Sequence, residues 1–203
     1  MAGPAPTVYL VDDDDRVLRA LKRLLSSDGH SVACYSNAEE FLLHHDPEVP
    51  GCAVLDLGLP GMDGFGIQDA LASGTAQRPL IFLTGRGDIP ASVRAMKAGA
   101  VDFLTKPVER SALLAAVAQA LVRDKEMRQN GEQRSSLEQR LSKLTPRERE
   151  VLTLVVAGRL NKQIAGELGT VEKTIKVHRG RMMNKMGVRT VADLVRLVAR
   201  QQG

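Results

Sequence analysis

Apolar residues recur along this chain in two rhythms, and the change between them divides it. From the start to about residue 123, short apolar runs alternate with stretches of three-to-four-residue spacing. The runs are Thr7–Val11, Ser31–Tyr35, Cys52–Leu55, Pro79–Leu83 and Val101–Leu104, each of strand length. Between them the spacing is helical. Val17, Leu18, Leu21, Leu24 and Leu25 form a stripe ending near Asp28-Gly29, and Asn37 can cap a helix carrying Phe41 and Leu42. A Pro- and Gly-rich loop, Leu59–Gly64, leads into a helix to about Ala72. Another helix runs from about Ile89 to Ala98, closed by Gly99, and a last one starts near Glu109 after Lys106-Pro107. Repeated strand–helix units predict a doubly wound α/β domain with a five-stranded parallel sheet over residues 5–123.

The second rhythm has no strand-like run. Thr145-Pro146-Arg147-Glu148 reads as a capping box with Pro at the first helical position, opening a helix through Val151, Leu152, Val155 and Val156. Asn161 is placed to cap a short helix, Lys162–Leu168, that stops at Gly169. Thr170 starts a longer helix with Ile175, Met182 and Met186 on one side, ending at Gly187, and Thr190 caps a fourth. A short helix, a Gly-containing turn and a longer basic helix make a helix-turn-helix. A small all-α domain is therefore expected over 141–203. Residues 124–140 form a charged, balanced linker, read as helical although Asn130-Gly131 could break it.

Charge sharpens the division. The net charge of +4 hides an acidic front, with 11 Lys and Arg against 15 Asp and Glu in residues 1–123, and a basic rear, with 13 against 5 in residues 141–203. Cation chemistry is expected first and a polyanion partner second. With 3% aromatics and no Trp, the core must be aliphatic. Cys34 and Cys52 fall in predicted strands without metal-site or disulfide spacing, and read as small buried hydrophobes. The N-terminus carries no basic or apolar leader, and the longest apolar helical stretch, Ala112–Val122, is too short to span a bilayer. A cytoplasmic protein with no membrane role is expected.

Candidate chemistry lies at the strand ends. All carboxyl ends of a parallel sheet open on one edge, so Asp12, Asp13, Asp56, Thr84 and Lys106 should converge there. Three carboxylates suit magnesium, with Asp13 and Asp56 as direct ligands and Asp12 bound through water. Asp56 stands alone before a loop and is the best nucleophile towards phosphorus, giving an acyl phosphate. Lys106 can pair with a phosphoryl oxygen and Thr84 can donate to another. Asp14 and Asp15 read as a helix-capping charge run.

On the longer rear helix, Lys173, Lys176, Val177, Gly180 and Asn184 share one face. Two lysines, a methyl-bearing Val and a close-approach Gly suit the major groove of DNA. Arg179, Arg181, Lys185 and Lys162 flank that face and would meet phosphates. His178 reads as a packing residue.

Val11-Asp12-Asp13, Asp56 with Leu59-Pro60-Gly61-Met62-Asp63-Gly64, Thr84-Gly85 and Phe103-Leu104-Thr105-Lys106-Pro107 resemble the receiver domain, a flavodoxin-like fold, of bacterial response regulators. The resemblance implies phosphorylation of Asp56 by a sensor histidine kinase and a metal site completed by the carbonyl of Gly58. It also implies a switch in which Thr84 moves, Phe103 changes rotamer and Lys106 holds the charge, and a Lys106–Pro107 bond that is often cis. Phe103 stands where many members have Tyr. Gly58 and Arg86 occupy positions that influence the approach of hydrolytic water.

Leu144–Leu152, Asn161–Ala165 and Thr174–Arg179 resemble the LuxR-type DNA-binding domain, and the two together resemble FixJ/NarL-type transcription regulators. Base contacts then fall to Lys176, Val177 and Gly180, with Thr174 in the same motif, although some relatives have a basic residue at the position of Gly180. The implied function is phosphorylation-dependent binding of double-stranded promoter DNA as a homodimer, with RNA polymerase as a further partner. It implies no catalysis beyond self-phosphotransfer to Asp56 and autodephosphorylation. Arg94, Lys97, Asp102 and Glu109 are candidates for cross-dimer pairs. The alternatives are a phosphorylation-independent DNA-binding regulator and a magnesium-dependent phosphohydrolase. The latter would need a second acid two residues after its nucleophile, where Gly58 stands.

Overall fold

The computed structural model describes residues 4–73, 77–85 and 89–199. It forms two compact units, one up to Met127 and one from Arg128. In the first, strands β1 (Thr7–Val11), β2 (Ser31–Tyr35), β3 (Gly51–Asp56), β4 (Leu80–Thr84) and β5 (Asp102–Thr105) alternate with helices α1 (Asp15–Ser27), α2 (Ala38–His44), α3 (Gly64–Ser73) and α4 (Ile89–Lys97), and α5 (Arg110–Ser142) follows. The strands make one parallel sheet in the order β2-β1-β3-β4-β5. Strand alternation sends Val8, Leu10, Val54, Ile81 and Leu83 to one face, where Leu18, Leu25, Leu113 and Val117 cover them. Tyr9, Val11, Leu55, Leu80 and Phe82 face the other side, against Phe41, Ile67, Leu71 and Ala95. Both faces are covered, so the central strands carry near-continuous apolar runs.

Cys52 is fully buried, and burial pushes its thiol up to about 12; Cys34 is half-buried, and burial pushes its thiol up as well. Asn37 caps α2 as expected, its Oδ1 accepting from the Glu40 N–H at 2.8 Å.

One buried acid ties α5 to the sheet. Asp124 is 2% exposed, and its Oδ2 accepts from the Gly51 N–H at 3.0 Å. Residue 51 must be glycine, because a Cβ there would lie 1.9 Å from the Thr7 carbonyl oxygen. Asp124→Ala leaves a buried amide without its acceptor, expected to cost about 1–3 kcal/mol. Both tyrosines of this Trp-free chain, Tyr9 and Tyr35, lie in the first unit, so denaturation followed by tyrosine fluorescence reads the loss directly.

Helix α5 spans 33 residues without interruption. Asn130 and Gly131 lower helix propensity by only about 1 kcal/mol or less each, too little to break a helix whose ends are held by packing. No helix among the described residues is long and apolar enough to cross a membrane.

In the second unit, α6 (Pro146–Val156), α7 (Asn161–Glu167), α8 (Glu172–Met186) and α9 (Val191–Ala199) pack with the end of α5. Their core contains Leu137, Leu144, Val151, Ile164, Ile175, Met182, Met186 and Leu194. The Thr145/Glu148 capping box forms, and Gly187 ends α8 in the left-handed conformation at φ 66°. Two helix starts differ from expectation. The cap of α7 is Leu160, whose N–H donates to Gln163 Oε1 at 2.9 Å, and Asn161 lies inside the helix. Helix α8 starts at Glu172, after its cap Val171, rather than at Thr170.

Candidate functional sites

Strand register brings the acidic residues together. Val11 pairs with Leu55 between β1 and β3, so Asp12 and Asp56 follow at the same level on adjacent strands. Asp56 pairs with Leu83, and Thr84 with Thr105, one residue before Lys106. Since β1 and β3 are neighbours with crossovers running to opposite faces, the crevice between their ends is the topological switch point. Asp12, Asp13 and Asp56 each present an oxygen there, all within 4.8 Å of one another. Asp12 and Asp56 are buried and Asp13 is exposed.

Lys106 sits between the buried acids. Its Nζ lies 2.5 Å from Asp12 Oδ2 and 2.9 Å from Asp56 Oδ1. The other Asp12 oxygen accepts from the Asp14 N–H at 3.0 Å, which fixes the carboxylate plane. Burial pushes the Asp12 carboxyl up, further than its hydrogen bond with Lys106 pulls it down. Burial opposes the charge on Lys106, but hydrogen bonds to Asp12 and Asp56 outweigh it and hold the ammonium above its ordinary value. Three carboxylates against one ammonium leave the crevice negative. Hard, closely set oxygens of this kind fit a divalent cation such as magnesium.

The remaining expected residues surround this centre. Thr84 is buried at the end of β4, and its carbonyl accepts from the Lys106 N–H at 2.7 Å. Gly58 is exposed, and a Cβ there would lie 3.5 Å from Asp56 Oδ2, in ordinary contact. The Lys106–Pro107 bond is cis. Phe103 is half-buried with its ring 6.4 Å from that of Phe82, which lies 5.6 Å from Phe65. Arg94, a candidate for a cross-dimer pair, lays its guanidinium 4.1 Å from the centre of the Phe65 ring. Arg86 lies outside the described residues.

On α8, Ile175, Met182 and Met186 are fully buried, while Lys173, Lys176, Val177, Gly180, Arg181 and Asn184 are exposed. Thr174 is half-buried at the edge of that face, and Lys162 is exposed on α7. Two of the expected phosphate-binding cations have partners inside the domain. Arg179 Nη1 donates to Asn161 Oδ1 at 2.8 Å, and Lys185 Nζ lies 2.7 Å from Glu148 Oε2. At 100° per residue Arg179 stands towards the buried side of α8 and Lys185 at its edge. They join α8 to α7 and α6, a role for Glu148 and Asn161 that no local pattern signals.

Residues 8–118 match the response regulator receiver domain, and residues 142–198 match the bacterial regulatory proteins of the luxR family. This chain belongs to the response regulators with a LuxR-type DNA-binding domain. It is 45% identical over 196 residues to Nodulation protein W of Bradyrhizobium diazoefficiens, covering 97% of this chain and 86% of that one. It is 44% identical to Response regulator protein TodT of Pseudomonas putida, over 98% of this chain and 88% of that one. It is 40% identical to Transcriptional regulatory protein FixJ of Azorhizobium caulinodans, over 94% and 90%. Among solved structures, the response regulator StyR aligns with TM-score 0.85 and 49% identity over 97% of this chain and 99% of that one. The expected family, fold class and function as a two-component transcription regulator are borne out. As a response regulator, this chain is a regulator rather than a classical enzyme.

Proposed function

We propose that Asp56 is the phosphoacceptor and that its phosphorylation by a sensor histidine kinase switches promoter binding on. The convergence of Asp12, Asp13, Asp56 and Lys106 on one crevice carries this reading. An Asp56 oxygen forms a bond to phosphorus as the donor's P–N bond breaks, and the leaving imidazole keeps the electron pair. Asp56 Oδ1 is engaged by Lys106, so Oδ2, beside Gly58, is the oxygen available for attack. Asp12, Asp13 and Asp56, with the Gly58 carbonyl, would hold magnesium, whose charge would offset that of the carboxylates and of an incoming phosphoryl group. Lys106 then passes from carboxylate to phosphoryl oxygen, and the Thr84 hydroxyl donates to another. Lys162, Lys173, Thr174, Lys176, Val177, Gly180 and Arg181 face DNA, while Arg179 and Lys185 act chiefly by holding α8 in place. Access to DNA and to a kinase supports a cytoplasmic location, with RNA polymerase as a further partner.

Helix α4 supplies the surface for a homodimer. Ala95 is its one fully buried residue, with Ala91 and Ser92 half-buried, yet it exposes Ile89, Val93 and Met96, at 75%, 46% and 47%. These three follow an i, i+4, i+7 stripe, the spacing of a packing face. Magnesium with beryllium fluoride, a phosphoryl mimic, is expected to convert monomer to dimer in light scattering. Val93→Asp should stop that conversion while fluoride still binds. A Val93→Asp chain that dimerises normally places the interface elsewhere.

A further inference from the structure

We propose that Arg140, on the last turn of α5, positions α8 for DNA binding by holding its C-terminal end. The final carbonyls of a helix have no partners within it. In α8 the chain itself satisfies two of them. The Gly187 N–H donates to the Asn184 carbonyl at 3.0 Å, and the Val188 N–H to that of Met183 at 3.1 Å. The Met186 carbonyl instead accepts from Arg140 Nη1 at 2.8 Å, from 46 residues away in the chain. Gly187 leaves room for this contact, since a Cβ there would lie 3.3 Å from Arg140 Nη1. A cation also suits the negative end of the helix dipole. Lys185, the basic residue in the last turn of α8, is paired with Glu148, so the charge at the carbonyl itself comes from Arg140.

Arg179 ties α8 to α7 and Lys185 ties it to α6, both through side-chain pairs. Arg140 differs from them by gripping the backbone, and it does so at the buried end of the helix, where Met186 is fully buried. These ties set the tilt of the exposed face from Lys173 to Asn184, and recognition needs such a face held to about 0.5 Å. A guanidinium engaged on a carbonyl of α8 is turned to the protein rather than to a phosphate. Any cation in the last turn of α5 would suit α5 itself. Only a side chain that reaches the Met186 carbonyl serves α8. The helix that carries Arg140 also supplies Leu113 and Val117 to the core of the first unit. The role of Arg140 rests on the reading that α8 faces DNA, and adds a positioning residue on a different helix.

Three variants of the full-length chain test it: Arg140→Met, Arg140→Lys and Lys176→Ala. Binding is measured well below the circular dichroism transition of each variant, so a loss of stability alone leaves affinity unchanged. The probes are a duplex selected by the beryllofluoride-treated wild-type chain from a random-sequence pool, and the unselected pool, each over a salt series. Arg140→Met should weaken binding to the selected duplex by about tenfold. Binding to the pool should fall less than about threefold, because the lysines that meet phosphates remain. The slope of log affinity against log salt should stay as in wild type. Arg140→Lys restores a cation and a donor, and should recover most of the loss. Wild-type affinity of Arg140→Met for the selected duplex overturns the proposal, as does a loss in Arg140→Lys equal to that in Arg140→Met. Equal losses on both probes with a slope shallower by about one also overturn it, by making Arg140 a phosphate contact. Should Arg140→Met not fold, Arg140→Gln, with a shorter arm and no charge, is read against Arg140→Lys in the same way. If Lys176→Ala weakens binding while Arg140→Met does not, the role of Arg140 alone is wrong. If Lys176→Ala also binds like wild type, the reading of α8 against DNA falls with it.

Discussion

Asp56→Asn is expected to abolish phosphoryl uptake from acetyl phosphate and magnesium, measured as loss of the phosphorylated species by intact mass. The carboxamide nitrogen cannot accept phosphorus as a carboxylate does, and the remaining amide oxygen is a far weaker nucleophile. Asp12 cannot substitute: it is buried, with one oxygen accepting from Asp14 and the other from Lys106. Asp13 is exposed past the end of β1, and β3 separates β1 from β4, the strand that ends at Thr84. The same substitution should raise stability in the absence of divalent metal, because it removes one of three clustered carboxylates served by one ammonium. Added magnesium should narrow that difference. Phosphorylation of Asp56→Asn to the wild-type level would place the acceptor elsewhere.

The acidic site is legible in the sequence because a parallel sheet sorts residues by strand end. Once Thr7–Val11, Cys52–Leu55, Pro79–Leu83 and Val101–Leu104 are read as strands, Asp12, Asp56, Thr84 and Lys106 have a common edge to occupy. That Lys106 spans Asp12 and Asp56 follows only from the register, since the three lie far apart in the chain. The rear face is less legible. Helical spacing separates Lys176 from Met182, but Arg179 and Lys185 lie near the boundary of the buried side. Their partners, Asn161 and Glu148, are 18 and 37 residues away. Asn161 suits a cap by residue type alone; Leu160 takes the position because Gln163 reaches back to satisfy its N–H. Asp124 is likewise unreadable, since its partner, the Gly51 amide, lies 73 residues away.

Glu148 carries the second large effect, and its two roles can be separated. Its side chain is 3% exposed and accepts from the Thr145 N–H at 2.9 Å while pairing with Lys185 at 2.7 Å. The Lys185 hydrogen bond, followed by the Thr145 N–H, holds its carboxyl below the ordinary value of 4.5. Glu148→Gln keeps a capping acceptor but loses the charge, and should cost about 1–2 kcal/mol at neutral pH. Glu148→Ala loses both and should cost about 3 kcal/mol, the charged hydrogen bond and the cap together. Lys185 is 35% exposed on its side chain, so its ammonium regains water and the larger penalty of a stranded buried charge is avoided. The pH dependence follows from the sign of the shift. A carboxyl with a depressed folded pKa contributes its full stability above the unfolded value of 4.5 and loses it as pH falls through the folded one. The gap between wild type and Glu148→Gln should therefore be constant near neutrality and close only below pH 4.5. Circular dichroism follows both units, and tyrosine fluorescence follows only the first. The circular dichroism transition should thus move while the tyrosine transition stays. A gap that persists unchanged in acid would show that Glu148 acts through packing rather than through its charge on Lys185.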